Sequence, residues 1–380
     1  MQHIMALSIV YLVEAQRNQT TIRKVKPMNS SIFRKILQIE IVLILGSSMY
    51  AKAQYNFVTF DAPGSPMVNV VGISGNTIIG NCFNNYRGFI YVYNGGCTVF
   101  DALDSYETYL TAIDGNNICG WGDAGNMDSF EYNGSDYISI SQTDTIMGIS
   151  GNKMIFFSMQ NQDTYLLDGN NKTILTMPIT GVIFTFAKGI DGNNIVGYYD
   201  QQQGPDIGFL YDGTNYTTIS VPGFYDTIPT GISGGKIVGY CDYGRVSNYY
   251  GASQGFVYNG STFTLFTVPG SISTQAAGIS GNNIAGSYTD TNNIIHGFLA
   301  IPIQPKPCSL GILNMTNSEL QITLTGTANY QYILQSSTSL VPPISWTITS
   351  TNLTDANGNS SITITNLPAA GSVFFRAISQ

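Results

Sequence analysis

The chain is poor in charge: of 380 residues, 15 are Lys or Arg and 23 are Asp or Glu. Histidine occurs twice and tryptophan twice. These shortages exclude whole classes of chemistry. His3 falls in the leader described below, so the mature chain keeps only His296. One imidazole cannot build a multi-histidine zinc site, and no HExxH or G-x-S-x-G motif occurs. In residues 54–303 glutamate is limited to Glu107 and Glu131, and arginine to Arg87 and Arg245. That leaves no arginine cluster of the kind a sialidase-like site uses to hold a substrate carboxylate. No apolar run reaches the roughly 20 residues of a membrane span, and no helical period extends beyond residue 53.

Residues 1–53 read as a leader. Arg34 and Lys35 form a basic start, Ile41 to Leu45 an apolar core, and Ala51-Lys52-Ala53 a small-x-small cleavage site, with cleavage after Ala53. Met28 is read as the start of translation. Removing residues 1–53 leaves 8 basic and 21 acidic groups, a net charge of −13. An acidic, charge-poor surface repels a phosphate backbone, so nucleic acid is excluded as a partner, and the mature chain has no membrane span. The expected location is secreted or cell-surface. Five cysteines are present, an odd number with no CxxC spacing. They read as small buried hydrophobes, with a Cys97–Cys119 bridge as the alternative.

What the chain has in abundance is a repeat. The segments GISGNTIIG, AIDGNNICG, GISGNKMIF, GIDGNNIVG, GISGGKIVG and GISGNNIAG begin at Gly72, Ala112, Gly148, Gly189, Gly231 and Gly278. Successive starts lie 40, 36, 41, 42 and 47 residues apart. Each segment is a hairpin turning on Gly-Asn, Asp-Gly or, in the fifth copy, Gly-Gly, residues that tolerate the positive φ of tight turns. Asp114, Asp168, Asp191 and Asp212 read as turn formers for that reason. A second hairpin follows each, as in Gly208-Phe209-Leu210-Tyr211-Asp212-Gly213 and then Tyr216 to Val221. Four short strands in about 40 residues are a propeller blade. The sixth copy lacks its last strand, and Tyr55–Phe60 matches that strand, so the N-terminus is expected to complete the last blade. The fold class is all-β: a six-bladed β-propeller over residues 54–303.

Residues 304–307 form a Pro-rich linker. From 308 to 380 short alternating strands with an Asn357-Gly358 turn predict a β-sandwich of immunoglobulin or fibronectin III kind, with Trp346 in its core.

The unit G-I-x-G-N-x-I-V-G-Y, then G-F-L-Y-D-G, then T-x-I-x-V-P-G resembles the repeats of the HAF family of exported bacterial proteins. His296-Gly297-Phe298 lies close to the family's His-Ala-Phe tripeptide, whereas the other copies lack that histidine. The tail at 308–380 is similar to small C-terminal sandwiches on exported proteins of Verrucomicrobia-like bacteria. The resemblance implies an extracellular repeat protein and brings no catalytic residues or cofactor with it.

The place where the repeat is broken carries the binding expectation. From the last Gly of the first hairpin to the start of the next strand, five units span 8 to 11 positions; the fifth spans 16, from Gly239 to Gly255. Tyr240, Asp242, Tyr243, Arg245, Asn248, Tyr249 and Tyr250 of this insert form the expected ligand-binding loop, because insertions in repeat proteins gather on the binding face. Calcium is the one ion with candidate ligands, at Asp123 to Asp128 and Asp290 to Asn293, but neither run has EF-hand spacing; no cofactor is expected. The reading is a secreted, non-catalytic repeat protein that binds an extracellular glycan or protein. The alternative is a secreted carbohydrate-active enzyme using an Asp pair in the ring's mouth.

Overall fold

The computed structural model describes residues 51–52, 55–84, 86–102, 106–123, 127–201, 204–246, 249–250, 252–303, 306–315, 319–341, 343–365 and 373–379. The chain divides into compact units at Ile303/Gln304. Apart from Ala51–Lys52, the leader lies outside the described residues. No described helix is long and apolar enough to cross a membrane.

In the first unit, six sheets follow one another around a ring, each of four antiparallel strands and one extended by a short fifth strand. Blade I runs through Val68–Ser74, Thr77–Cys82, Gly88–Val92 and Gly96–Phe100, numbered outward from the axis. Blades II, III, IV and V begin with inner strands Glu107–Asp114, Asp144–Ser150, Val182–Asp191 and Asp226–Ser233 and repeat that order. Blade VI takes Ser273–Ser280, Asn283–Thr289 and Ile295–Pro302 from the end of the repeat and its outer strand, Tyr55–Phe60, from the start. Tyr55 pairs with Pro302 and Phe60 with Gly297, in continuous antiparallel register. The ring therefore closes as the sequence predicts. Ala51–Lys52, at the expected cleavage site, pairs in parallel with Thr264 and Leu265 on the outer edge of blade V.

A blade has two apolar faces, so its core lies between blades. Val68, Val70, Ile73, Ile78 and Phe89 of blade I pack with Phe60, Ala285 and Leu299 of blade VI. In five blades the second strand carries a glycine opposite a buried aromatic of the third: Gly80–Phe89, Gly120–Phe130, Gly197–Phe209, Gly239–Phe256 and Gly286–Phe298. A Cβ on Gly80 would fall 2.5 Å from the Phe89 ring, so only glycine lets that ring fold across the strand. In blade III, Phe156 takes this place and stacks on Tyr165 at 5.1 Å.

The motif's Ser or Asp has a role beyond its own turn. The amide of Gly115 donates to Ser74 Oγ (2.9 Å), and that of Gly151 donates to Asp114 Oδ2 (2.7 Å). Gly192 donates to Ser150 Oγ (3.1 Å), Gly234 to Asp191 Oδ2 (2.8 Å) and Gly281 to Ser233 Oγ (3.2 Å). Gly75 then donates to Ser280 Oγ (2.9 Å) and closes the circle. Each blade thus accepts a hydrogen bond from the turn of the next. Asp114 and Asp191, read from sequence as turn formers, join blades instead.

His296 serves the closure. Its Nδ1 lies 2.7 Å from Oδ1 of Asp61, the residue after the outer strand, and its ring stacks on Tyr288 at 5.1 Å. Its Nε2 lies 3.7 Å from Asp290 Oδ2. Asp290 Oδ1 also accepts from the amides of Asn292 and Ile294, both at 2.8 Å, so this candidate calcium residue is engaged in a loop turn. The other run is described only in part.

All five cysteines are free thiols, which rules out the Cys97–Cys119 alternative. Burial pushes Cys97 up to about 11 and Cys119 and Cys241 up to about 12, so these thiols stay protonated near neutral pH.

In the second unit, Ser309–Met315, Glu319–Thr325 and Asn359–Thr365 form one three-stranded antiparallel sheet. Gln331–Ser337, Thr347–Leu353 and Phe374–Ser379 form another. Leu320, Ile322, Leu324, Tyr332, Leu334 and Ile362 are buried. Trp346, expected in the core, is only half-buried. The Arg376 guanidinium covers its ring at 4.3 Å and is held in place by donating from Nε to Gln335 Oε1.

Two outcomes are expected. Ser280→Ala removes one inter-blade acceptor and should lower stability by about 0.5–1.5 kcal/mol, seen as a lower urea midpoint with unchanged m. Deleting residues 55–60 strips the outer strand from blade VI and should cost several times more. The second outcome concerns acid. The Ile294 amide, then Asn292 and His296, hold Asp290 below its ordinary 3.8. The folded chain therefore binds this proton less readily than the unfolded chain does. The stability it contributes is present above the ordinary value and lost as pH falls through the lower folded one. Urea midpoints between pH 6 and 3 should fall more for the wild type than for Asp290→Asn.

Candidate functional site

Strand direction gives the ring two unlike faces. Every inner strand runs toward its Gly-Asn or Gly-Gly turn, and the third strand runs the same way toward the turn of the second hairpin. One face therefore carries the tight turns, together with the two ends of the ring's chain at Tyr55 and Pro302. The other carries the links from second to third strand and from each blade to the next. Variable length and composition are confined to that loop face, where binding residues are expected.

The predicted loop lies on this face, but its residues separate. Tyr240 is not in a loop: it pairs with Ile228 and Gly255 within blade V. Burial raises its phenol, with Tyr198, Asp242, Asp206 and Asp226 as charged or polar neighbours. Asp242 ends the same strand, and its Oδ1 accepts from the Gly244 amide at 2.8 Å. Tyr243 is exposed and stacks on Phe224 at 4.8 Å. Arg245 pairs with Tyr250, and Val246 with Tyr249, in a two-residue ladder. Asn248 lies outside the described residues. Asp226 faces Asp242 across the ladder, and its Oδ1 accepts from the Asp206 amide at 2.8 Å. These carboxylates cap loops.

A cleft of about 250 Å³ opens elsewhere on the loop face, between blades II and III. Trp121 and Ser129 line it from blade II, Gln142 and Thr143 from the connection, and Asp144, Thr145, Met159 and Gln160 from blade III. Trp121 follows Gly120, a position held by Asn81, Phe157, Tyr198, Tyr240 and Ser287 in the other units. The indole stacks on Tyr109 across the ladder, with centroids 4.2 Å apart and planes 16° apart. Tyr86 extends the aromatic run, 6.1 Å from Tyr109.

The connection that shapes the cleft is held from several sides. Thr143 and Asp144 amides donate to Ser141 Oγ at 3.2 and 3.0 Å, and buried Ser129 donates to the Asp144 carbonyl at 2.7 Å. Tyr165 donates its phenol to Asp144 Oδ2 at 2.7 Å, which fixes the carboxylate. Desolvation, reinforced by that carboxylate, keeps the Tyr165 phenol protonated. Gln142, Thr143 and Gln160 are exposed, and Met159 is 56% exposed. The cleft thus combines a rigid aromatic surface, a thioether, one positioned carboxylate and two amides. It is smaller than the roughly 300–1,000 Å³ of sites for drug-sized ligands. The sequence signal for it was a tryptophan at a position that is otherwise Asn, Phe, Tyr or Ser.

No family model matches the chain, and no curated protein matches it. Solved propellers do align with it. The β-propeller domain of the Trilobed protease from Pyrococcus furiosus covers 62% of this chain and 94% of its own, at 9% identity and a TM-score of 0.42. The Aleuria aurantia lectin covers 77% of this chain and 96% of its own, at 12% identity and a TM-score of 0.38. Virginiamycin B lyase from Staphylococcus aureus covers 71% and 96%, at 13% identity and a TM-score of 0.36. Likeness at this level concerns the kind of fold and carries no chemistry to this chain.

Proposed function

We propose that this is an exported, non-catalytic propeller of the HAF-repeat kind that binds a saccharide in the cleft between blades II and III. In this reading the second unit is an immunoglobulin- or fibronectin III-like appendage. The observation that carries the proposal is the Trp121–Tyr109 stack beside Gln142, Asp144 and Gln160. A sugar ring has one face of weakly polarised C–H groups and a rim of hydroxyls. The negative face of an indole suits the first. Amides and a carboxylate suit the second, because they offer both donors and acceptors. An acidic protein with few cations suits a neutral ligand better than an anionic one.

The enzymatic alternative needs two carboxylates about 5–10 Å apart. Among the described residues Asp144 is the one carboxylate lining the cleft, and it is bonded to Tyr165. Binding without hydrolysis is the reading that this arrangement favours.

A glycan array followed by calorimetry on the best ligand tests the proposal. Trp121→Ala should weaken binding by at least about 30-fold, the roughly 2 kcal/mol typical of an aromatic anchor. Gln160→Ala, at an exposed position, should weaken it less and leave the unfolding midpoint unchanged. Tyr243→Ala should leave affinity unchanged, because Tyr243 lies on blade V. Wild-type affinity in both cleft variants, or no glycan retained by the wild type, would overturn the reading.

A further inference from the structure

On the axis of the ring, three residues from each blade line a cavity of about 80 Å³ that is open to solvent. The register of every inner strand slips by one residue immediately before its motif Gly or Ala. This leaves Val71, Thr111, Met147, Lys188, Thr230 and Ala277 unpaired in the ladders. All six line the cavity. They occupy equivalent places, yet only one is charged.

We propose that this axial cavity binds a small monocarboxylate, with the Lys188 ammonium and the Thr111 hydroxyl as its donors. Among the described residues that line the cavity, Lys188 is the sole titratable group, and none contributed by any of the six blades is an acid. It keeps part of its surface open to the cavity, but protein surrounds it on nearly all sides, and that desolvation lowers its pKa. The other lysines and arginine of the ring whose side chains are described all have partners. Arg87 binds Asp101, Lys153 binds Asp168 at 3.1 Å, Lys172 lies 3.6 Å over Tyr165, and Lys236 binds Asn282. Lys188 has none.

Thr111 supplies a second, independent sign. Its Oγ1 is buried and has no hydrogen-bond partner. Thr230, at the equivalent place in blade V, donates to the carbonyl of Ala276 at 2.9 Å. Thr111 and Lys188 thus line one cavity whose third polar side chain, Thr230, is already bonded and whose other side chains are apolar. A carboxylate bound in the cavity would offer an acceptor to each of them.

The chemistry narrows the ligand class. One cation neutralises one negative charge, whereas a doubly charged phosphate or sulfate would leave excess charge among apolar walls. A carboxylate offers two acceptor oxygens, one for each donor, and a short alkyl end suits Val71, Met147 and Ala277. The volume admits two or three waters at about 30 Å³ each, or an ion the size of formate or acetate.

Thermal unfolding of the full chain in sodium formate or acetate, at ionic strength held constant with chloride, tests the site. The wild-type midpoint should rise as ln(1 + [L]/Kd), with the logarithmic form of a ligand that binds only the folded state. Lys188→Met removes a buried charge, so it should fold at least as stably without ligand and lose the carboxylate response. Thr111→Val should retain a weaker response, and Trp121→Ala the full one, which separates this site from the saccharide cleft. An equal response in Lys188→Met, an equal response to sulfate, or no carboxylate-specific rise in the wild type would overturn the proposal.

Discussion

Six hydrogen bonds of one kind hold the ring together at its turn face. In each, a turn glycine's amide donates to the Ser or Asp of the preceding blade, from Gly115–Ser74 around to Gly75–Ser280. The glycine is needed for its positive φ, +57° at Gly75, and that same turn aims the amide outward. The Ser or Asp is needed as a short acceptor at the end of the inner strand. A hairpin requirement and an inter-blade requirement thus fall on adjacent residues, which accounts for their recurrence in six copies. The aromatic cores between blades provide the bulk of burial, and the circular hydrogen bonds fix how one blade meets the next.

Most of this frame was legible in the primary structure. The 36- to 47-residue period, the two hairpins per unit and the strand missing from the sixth copy led directly to six blades and to closure by Tyr55–Phe60. These features are local or repeated, and repetition makes them visible. Contacts between units were not legible. Asp114 and Asp191 looked like turn residues because Asp is common in turns; their partners lie 37 and 43 positions away. Trp346 looked like core because large aromatics usually are, and nothing nearby in sequence announced Arg376 above it.

The candidate site was hidden for the same reason. Its lining comes from two blades and the segment between them, and no consecutive stretch carries the pattern. Attention to the long insert in blade V brought in Tyr240, which belongs to a strand and is enclosed. Comparison of equivalent positions is the better guide. After the closing glycine, one unit places an indole; at the inner-strand bulge, one unit places a lysine. Where a repeat imposes the same backbone six times, a single dissimilar side chain marks a local chemistry that the fold does not require.

The hydrogen bonds at the turn face run head to tail, and nothing in them counts units. Contacts of this kind close a ring whenever the rotation per unit divides a full turn. The closeness of approach at the axis is a separate matter. A Cβ on Gly189 would lie 2.9 Å from the Gly231 Cα, and one on Gly231 would lie 2.9 Å from the Gly278 Cα, so blades IV, V and VI meet backbone to backbone. Blade II places Ala112 at the equivalent position, where a methyl group stands in that gap. Spacing between neighbours is thus adjusted blade by blade at the narrowest point of the molecule, while the rim is free to vary in its loops.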